Sequence, residues 1–263
     1  MAVRSADINV IASAVLKGAR GLARDFGEIE SLQASPKGTS AFVAKSLAWN
    51  GQVLDRELAR SRPRFGLLSA RANTAGTDNA RWIVDPINGL ANFGRGIPHY
   101  AISVALQRDG AVVAGAVYDP LRDDLYWAER GVGAYRNDRR LRVSGRRDPR
   151  QMLIGTCADE TGQPDDIRDR EAALARAVAS GAAGLRRLGC AALDLAYVAA
   201  GRLDGFWATH LNPWEFAAGV LLVREAGGYA SDLSGAGEPA GDGGILVAND
   251  HLHAALGALL HAA

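Results

Sequence analysis

Between residues 65 and 128 the chain repeats apolar runs of strand length, namely Phe65 to Leu68, Trp82 to Val84, Tyr100 to Gln107, Ala111 to Tyr118 and Asp124 to Ala128, with turn signals such as Asp109-Gly110 between them. This rhythm constrains the fold more than any other feature, because consecutive strands so closely spaced pair as a largely antiparallel meander. The preceding segment reads as two helices: residues 5–31 carry Ile8, Ala12, Leu16 and Leu22 at helical spacing, and Ser40 to Arg60 carries Val43, Leu47, Val53, Leu54 and Leu58 as an apolar stripe that Pro63 closes.

Beyond residue 146 the rhythm changes. Met152 to Gly155 reads as a buried strand, 167–180 as a helix, Leu185 to Leu188 as a strand, and Ala191 to Ala200 as a helix ended by Gly201. Gly205 to Ala208 is again a strand, Trp214 to Ala226 a helix closed by Gly227-Gly228, Ile245 to Ala248 a strand, and 250–261 a terminal helix. The expectation is an α+β half over residues 1–146 and an α/β half over 147–263.

A chain of 263 residues with 48% hydrophobic content has ample material for such a core. Thirty basic residues against 29 acidic ones leave a net charge of +1, which exerts no overall pull on nucleic acid or an anionic membrane. No apolar stretch approaches the ~20 residues needed to span a bilayer. Cys157 and Cys190 have apolar, alanine-rich neighbours and read as reduced core residues, which fits a cytoplasmic protein. The arginine-rich stretch from Arg136 to Arg150 is either a strip for anionic partners or a solvated hairpin and linker; the interrupting Asp138 and Asp148 favour the second.

Two segments carry chemistry. The first, Trp82-Ile83-Val84-Asp85-Pro86-Ile87-Asn88-Gly89-Leu90-Ala91-Asn92-Phe93, ends a buried strand on an aspartate whose oxygens can face a hard cation, and its Gly89 turn offers backbone N–H groups to a phosphate. The second, Pro213-Trp214-Glu215-Phe216-Ala217-Ala218-Gly219, opens a helix on an acid that suits the helix dipole. Each has a plainer account, Asp85 as a turn residue before proline and Glu215 as a helix N-terminal acid.

Together, and in this order, the two segments resemble the Asp-Pro-Ile-Asp-Gly-Thr-Thr-Asn-Phe and Trp-Asp-x-Ala-Ala-Gly segments of the inositol monophosphatase family. The likeness extends through Ile97-Pro98-His99-Tyr100-Ala101-Ile102-Ser103, Asn137-Asp138-Arg139-Arg140-Leu141 and Gly189-Cys190-Ala191-Ala192-Leu193-Asp194-Leu195-Ala196-Tyr197, so it covers nearly the whole chain. It implies a layered αβαβα fold, an active-site cleft between the two halves, Mg²⁺-dependent hydrolysis of small phosphorylated substrates, and a homodimer. The resemblance places Asp85, the Ile87 carbonyl and Glu215 at metal-ligand positions, and Gly89, Leu90 and Ala91 at the phosphate.

Several positions depart from the pattern. The motif's second aspartate is Asn88, its water-positioning threonine is Leu90, its later metal aspartate is the longer Glu215, and its substrate-orienting acid is Ala208. The glutamate due after Pro63 is missing, since no acid occurs between Glu57 and Asp78, and the matching stretch is Gly66-Leu67-Leu68-Ser69-Ala70-Arg71. An acidic segment of the second helix is matched by Phe42-Val43-Ala44-Lys45-Ser46-Leu47. The departures imply a catalytically impaired or inactive homologue with a binding or regulatory role, holding Mg²⁺ weakly or not at all, with Ca²⁺ the more tolerant alternative. The rival is a working phosphatase with an altered site of Asp85, Glu215, the Ile87 carbonyl and Asp55 or Glu57. His210 offers a replacement ligand or an ordinary loop histidine, while His251 and His253 fall at the start of the last helix, in solvent.

Overall fold

The computed structural model describes residues 3–32, 36–157, 165–239 and 244–262. The chain opens with α1 (Ala6–Leu32) and α2 (Pro36–Ser61) and continues as β1 (Gly66–Ser69), β2 (Ala72–Thr74), β3 (Ala80–Asn88), the short α3 (Leu90–Arg95), β4 (Ala101–Arg108), β5 (Ala111–Asp119), β6 (Asp124–Glu129), β7 (Gly133–Arg136) and β8 (Arg139–Arg140). Then follow β9 (Leu153–Thr156), α4 (Asp165–Gly181), β10 (Gly184–Arg186), α5 (Ala191–Ala199), β11 (Gly205–Ala208), α6 (Pro213–Glu225), β12 (Gly228–Ser231), β13 (Ile245–Asn249) and α7 (His253–His261).

Among the described residues the strands form an eight-stranded sheet in the order β2-β1-β3-β4-β5-β6-β7-β8 and a five-stranded sheet in the order β10-β9-β11-β13-β12. The expected meander is the antiparallel run from β3 to β8, while β1 joins its edge in parallel to β3. Side-chain alternation along each strand then sorts the core into layers. Trp82, Val84, Ile102 and Val104 face α1 and α2, together with Ile8, Ile11, Val15 and Leu54 of those helices. Ile83, Ala101, Ala105 and Val117 face the other way, onto α5 and α6, and those helices meet Phe206, Ile245 and Val247 of the second sheet. On its outer face Trp207, Leu246 and Ala248 pack with Leu174 and Val178 of α4 and Leu256 and Leu260 of α7. The architecture is a layered αβαβα stack.

The hairpin expected in the arginine-rich stretch is β7 and β8, while the sequence rhythm missed α3, β2 and β12. Each has six residues or fewer, too few to display a period, and β12 begins directly after the helix stop at Gly227. Met152 follows a 3₁₀ turn and does not belong to β9. The arginine-rich stretch includes the β7–β8 hairpin, and there Arg136, Arg146 and Arg150 pair with Asp124, Asp204 and Asp148 of the same chain.

Candidate functional site

Strand β3 ends in an irregularity that decides where its polar side chains go. Asp85 pairs with Ser103 and Asn88 with Ala101, so three steps along β3 match two along β4. The extra residue is a β-bulge beside Pro86, which has no N–H to give the ladder. In a regular strand residues three apart point to opposite faces. The bulge removes that alternation, and the Asn88 amide donates from Nδ2 to Asp85 Oδ2 at 2.9 Å. Asp85 Oδ1 accepts from the Ile87 backbone N–H at 3.2 Å. Asn50 of α2 donates to the Pro86 carbonyl at 2.6 Å, tying the bulge to the helical layer. Gly89 then turns the chain into α3 with φ of 83°, a left-handed conformation that leaves little room for a side chain between the His99 carbonyl and Cys190.

Asn88 is fixed at both ends of its amide. Its Oδ1 accepts from the Ala192 backbone N–H at 2.9 Å, at the start of α5, and from the Cys190 thiol at 3.1 Å, so Nδ2 is the end left for Asp85. Cys190 is free and fully buried, and burial pushes its thiol well above the ordinary range. Cys157 is half-buried.

Burial also pushes the Asp85 carboxyl up from 3.8 to about 7; the Asn88 hydrogen bond opposes the rise and the charge of Glu215 adds to it. A carboxyl raised in the folded state makes the protein less stable wherever it must ionise. Stability should therefore increase as pH falls from about 7 towards 4, by roughly 4 kcal/mol in the limit, and be flat with respect to this group outside that window. The measurement is thermal unfolding from pH 8 to 5 for wild type and Asp85→Asn. A steeper gain on acidification in the wild type is expected; equal slopes would refute the burial of an ionisable Asp85.

Glu215 occupies the third position of α6, and its carboxylate turns back to the helix start. Oε2 accepts from the Asn212 backbone N–H at 2.8 Å and from the Asn212 side-chain amide at 2.9 Å. This is half of a capping box, so the acid serves the otherwise unpaired donors of the helix end.

Asp85, Ile87, Asn88, Gly89, Leu90 and Glu215 line one cleft of about 240 Å³. Ser69, Ala70 and Arg71 line it too, which puts the stretch without its glutamate against the remaining acids. Leu47 of α2 and Trp214 of α6 add apolar wall. Arg71 donates to the Ala48 carbonyl at 3.1 Å and lies 3.4 Å from Asp55, so a guanidinium borders the cleft. The other candidates fall outside this lining. Ala91 is exposed, Ala208 is fully buried at the end of β11, and His210 is exposed. Asp55 is engaged by Arg71, and Glu57 pairs with Lys17 at 2.6 Å. His251 is exposed as expected, but His253 is half-buried against Ser231 Oγ at 3.0 Å, because β12 packs beside the start of α7.

The sequence profile of the inositol monophosphatase family matches residues 5–263. The chain belongs to that family. It is 47% identical over 255 residues to the inositol-1-monophosphatase of Rhizobium meliloti, covering 96% of this chain and 95% of the relative. It is 38% identical to the Nus factor SuhB of Escherichia coli K12, over 92% and 91% of the two chains. The crystal structure of the extragenic suppressor protein suhB from Bartonella henselae superposes with a TM-score of 0.87 at 40% identity, over 97% of this chain and 98% of that one. Members of the inositol monophosphatase family bind phosphorylated ligands and are generally Mg²⁺-dependent.

The carboxylate oxygens that would face Mg²⁺ in this cleft already accept hydrogen bonds. That ion asks for octahedral oxygens at about 2.0–2.1 Å. Here one candidate oxygen set receives hydrogen bonds from Ile87 and Asn88, the other caps α6, and Asn88 turns an N–H donor towards the shared space. Among the described residues no three of His, Cys, Asp and Glu come together to hold a metal, and no helix is long and apolar enough to cross a membrane. That Asp85 and Glu215 share a cleft was expected from the sequence, and the structure lines that cleft with both. Arg71 as a cleft residue, the Asn88 amide as a donor to Asp85 and Asn212 as the partner of Glu215 were not expected, since each depends on a bulge, a turn or a cap that brings chain neighbours into contact.

Proposed function

We propose that this chain is a catalytically impaired or inactive member of the inositol monophosphatase family, retained for a binding or regulatory role. The observation that carries the reading is the engagement of both cleft carboxylates: Asp85 holds the Asn88 amide and Glu215 holds Asn212. In a metal-dependent phosphatase, bound ions activate water, orient it and neutralise charge on the phosphoryl group. This cleft offers Asp85, the Ile87 carbonyl and Glu215 towards such an ion, a set that binds Mg²⁺ weakly or not at all and suits Ca²⁺ better, because Ca²⁺ tolerates irregular oxygen cages. Gly89, Leu90 and Ala91 are the backbone positions for a phosphorylated small molecule at the turn into α3. The name Nus factor SuhB among relatives supports a family role not described by phosphatase chemistry.

The competing reading is an active phosphatase of inositol phosphates or related sugar phosphates with an altered metal site, favoured by the identity to relatives named inositol-1-monophosphatase. The two separate in one assay: Mg²⁺-dependent phosphate release from a panel of inositol and sugar phosphates, with Asp85→Ala as the control for contaminating enzyme. We expect no release above that control. Robust turnover that Asp85→Ala abolishes would establish the active enzyme instead. The protein is further proposed to be a cytoplasmic homodimer, and light scattering is expected to return twice the 27.7 kDa chain mass; a monomer mass at all concentrations would overturn that.

A further inference from the structure

A second cavity lies apart from the cleft. A crevice of about 550 Å³ opens between α6 and the first sheet, within the roughly 300–1,000 Å³ typical of small-molecule sites. Pro213, Phe216, Ala217, Val220, Leu221 and Arg224 of α6 line it, at successive three- and four-residue steps along one helix face. Trp214 and Glu215, which line the cleft, lie off that face, and the two cavities share no lining residue.

The crevice is a consequence of how α6 is seated. A Cβ on Gly115 of β5 would lie 3.1 Å from Ala218, and one on Gly219 would lie 2.6 Å from the Leu195 side chain of α5. Helix α6 is thus drawn tight against β5 and α5 along one line, and the gap remains on its other flank, over Ile83 and Val112. Because those contacts are backbone-close, the gap is preformed and has an apolar floor.

Its rim is cationic. Arg224 is neutralised by Glu238 at 2.7 Å, and Glu225 is held by the backbone N–H groups of Gly131 and Gly133, both at 2.9 Å. Arg81 and Arg130 have no acidic partner among the described residues. Arg81 is oriented by donating from Nε to Gln107 Oε1 at 2.6 Å, and Gln107 is itself fixed by donating to the Gly110 carbonyl at 3.0 Å. That leaves the two terminal amino groups of Arg81 as a fork of the kind that takes a planar or tetrahedral oxyanion.

We propose that this crevice is a second ligand site, separate from the cleft, for a small amphipathic anion: an apolar body on the Ile83, Val112, Phe216 and Val220 floor, with one carboxylate, sulfonate or phosphoryl group held by Arg81 and Arg130. An uncharged apolar molecule would leave the arginines unmatched, and a polar sugar phosphate would leave the floor unmatched, so neither is the occupant.

The probe is 8-anilinonaphthalene-1-sulfonate, which joins an aromatic body to one sulfonate. Titration of the full chain, followed by probe fluorescence with circular dichroism to establish folding, is expected to give one saturable site. Arg81→Ala and Arg130→Ala should each weaken binding about tenfold, the scale of one charged hydrogen bond. Val220→Phe should fill the floor and abolish binding. N-phenyl-1-naphthylamine, the same body without the sulfonate, should bind at least tenfold more weakly, and an inositol phosphate should not displace the probe. Unchanged probe affinity in both arginine variants, equal affinity for the uncharged analogue, or displacement by the inositol phosphate would each overturn the proposal. Arg130 is exposed, so its variant remains informative if Val220→Phe fails to fold.

Discussion

Asn88→Asp alone is expected to leave the protein without measurable phosphatase activity. The substitution returns one carboxylate to the cleft, but the attacking water would still lack an acid at the Ala70 to Arg71 turn and a hydroxyl at Leu90, where the side chain is apolar and partly exposed. Glu215 would stay folded back on Asn212. Activation, positioning and charge neutralisation act together in such chemistry, so repairing one part recovers little. The deficit should amount to many powers of ten in rate, each tenfold being ~1.4 kcal/mol of barrier. Recovery should require the combined set: an acid in place of Ala70 or Arg71, Asn88→Asp, Leu90→Thr and Glu215→Asp. Arg71 makes the first of these doubly important, because its positive charge lines the space a metal would need. Mg²⁺-dependent phosphate release is the readout, and strong activity in the single Asn88→Asp variant would contradict the proposed division of labour.

The same substitution should be costly to the fold. In the wild type the Asn88 amide joins Asp85 to the start of α5, and both residues are buried, at 3% and 7% exposure. An aspartate at 88 replaces the donor with a second acceptor, leaving two carboxylates in contact without water or cation between them. Leaving such charge uncompensated costs about 3 kcal/mol or more. For a chain of this size that corresponds to a fall of about 6–12 °C in Tm at pH 8 in the presence of a chelator. The loss should shrink on acidification, as the carboxyl pair takes up a proton, and shrink when millimolar Ca²⁺ supplies the missing charge. Differential scanning calorimetry of the two proteins with and without the cation decides it: an unchanged Tm at pH 8 in chelator would show that Asn88 is not a structural link.

The layers were readable from the sequence because they rest on period. Helical spacing from Ile8 to Leu22 and strand-length runs from Trp82 to Ala128 survive into the structure with boundaries shifted by a few residues. Asp85 and Glu215 facing one cleft was readable only through the likeness to a family, since they lie 130 positions apart and no local pattern joins them. What the residues could not show is the use of each side chain. Whether Glu215 faces a metal or caps its own helix depends on which rotamer the Asn212 donors select, and whether Asn88 offers oxygen or nitrogen to Asp85 depends on Ala192 and Cys190, more than a hundred positions away. The α6 crevice was invisible for a similar reason, because an apolar helix face reads the same whether it is fully packed or partly open.

The middle layer of the stack bears on how anything enters or leaves. Helices α5 and α6 belong to one continuous cluster with Ile83 and Val117 of the first sheet and Phe206 and Val247 of the second, so neither sheet can swing away without opening an apolar seam to water. A clamshell opening would carry that hydrophobic cost, whereas the Leu47 and Trp214 side chains can shift at the cleft wall without it.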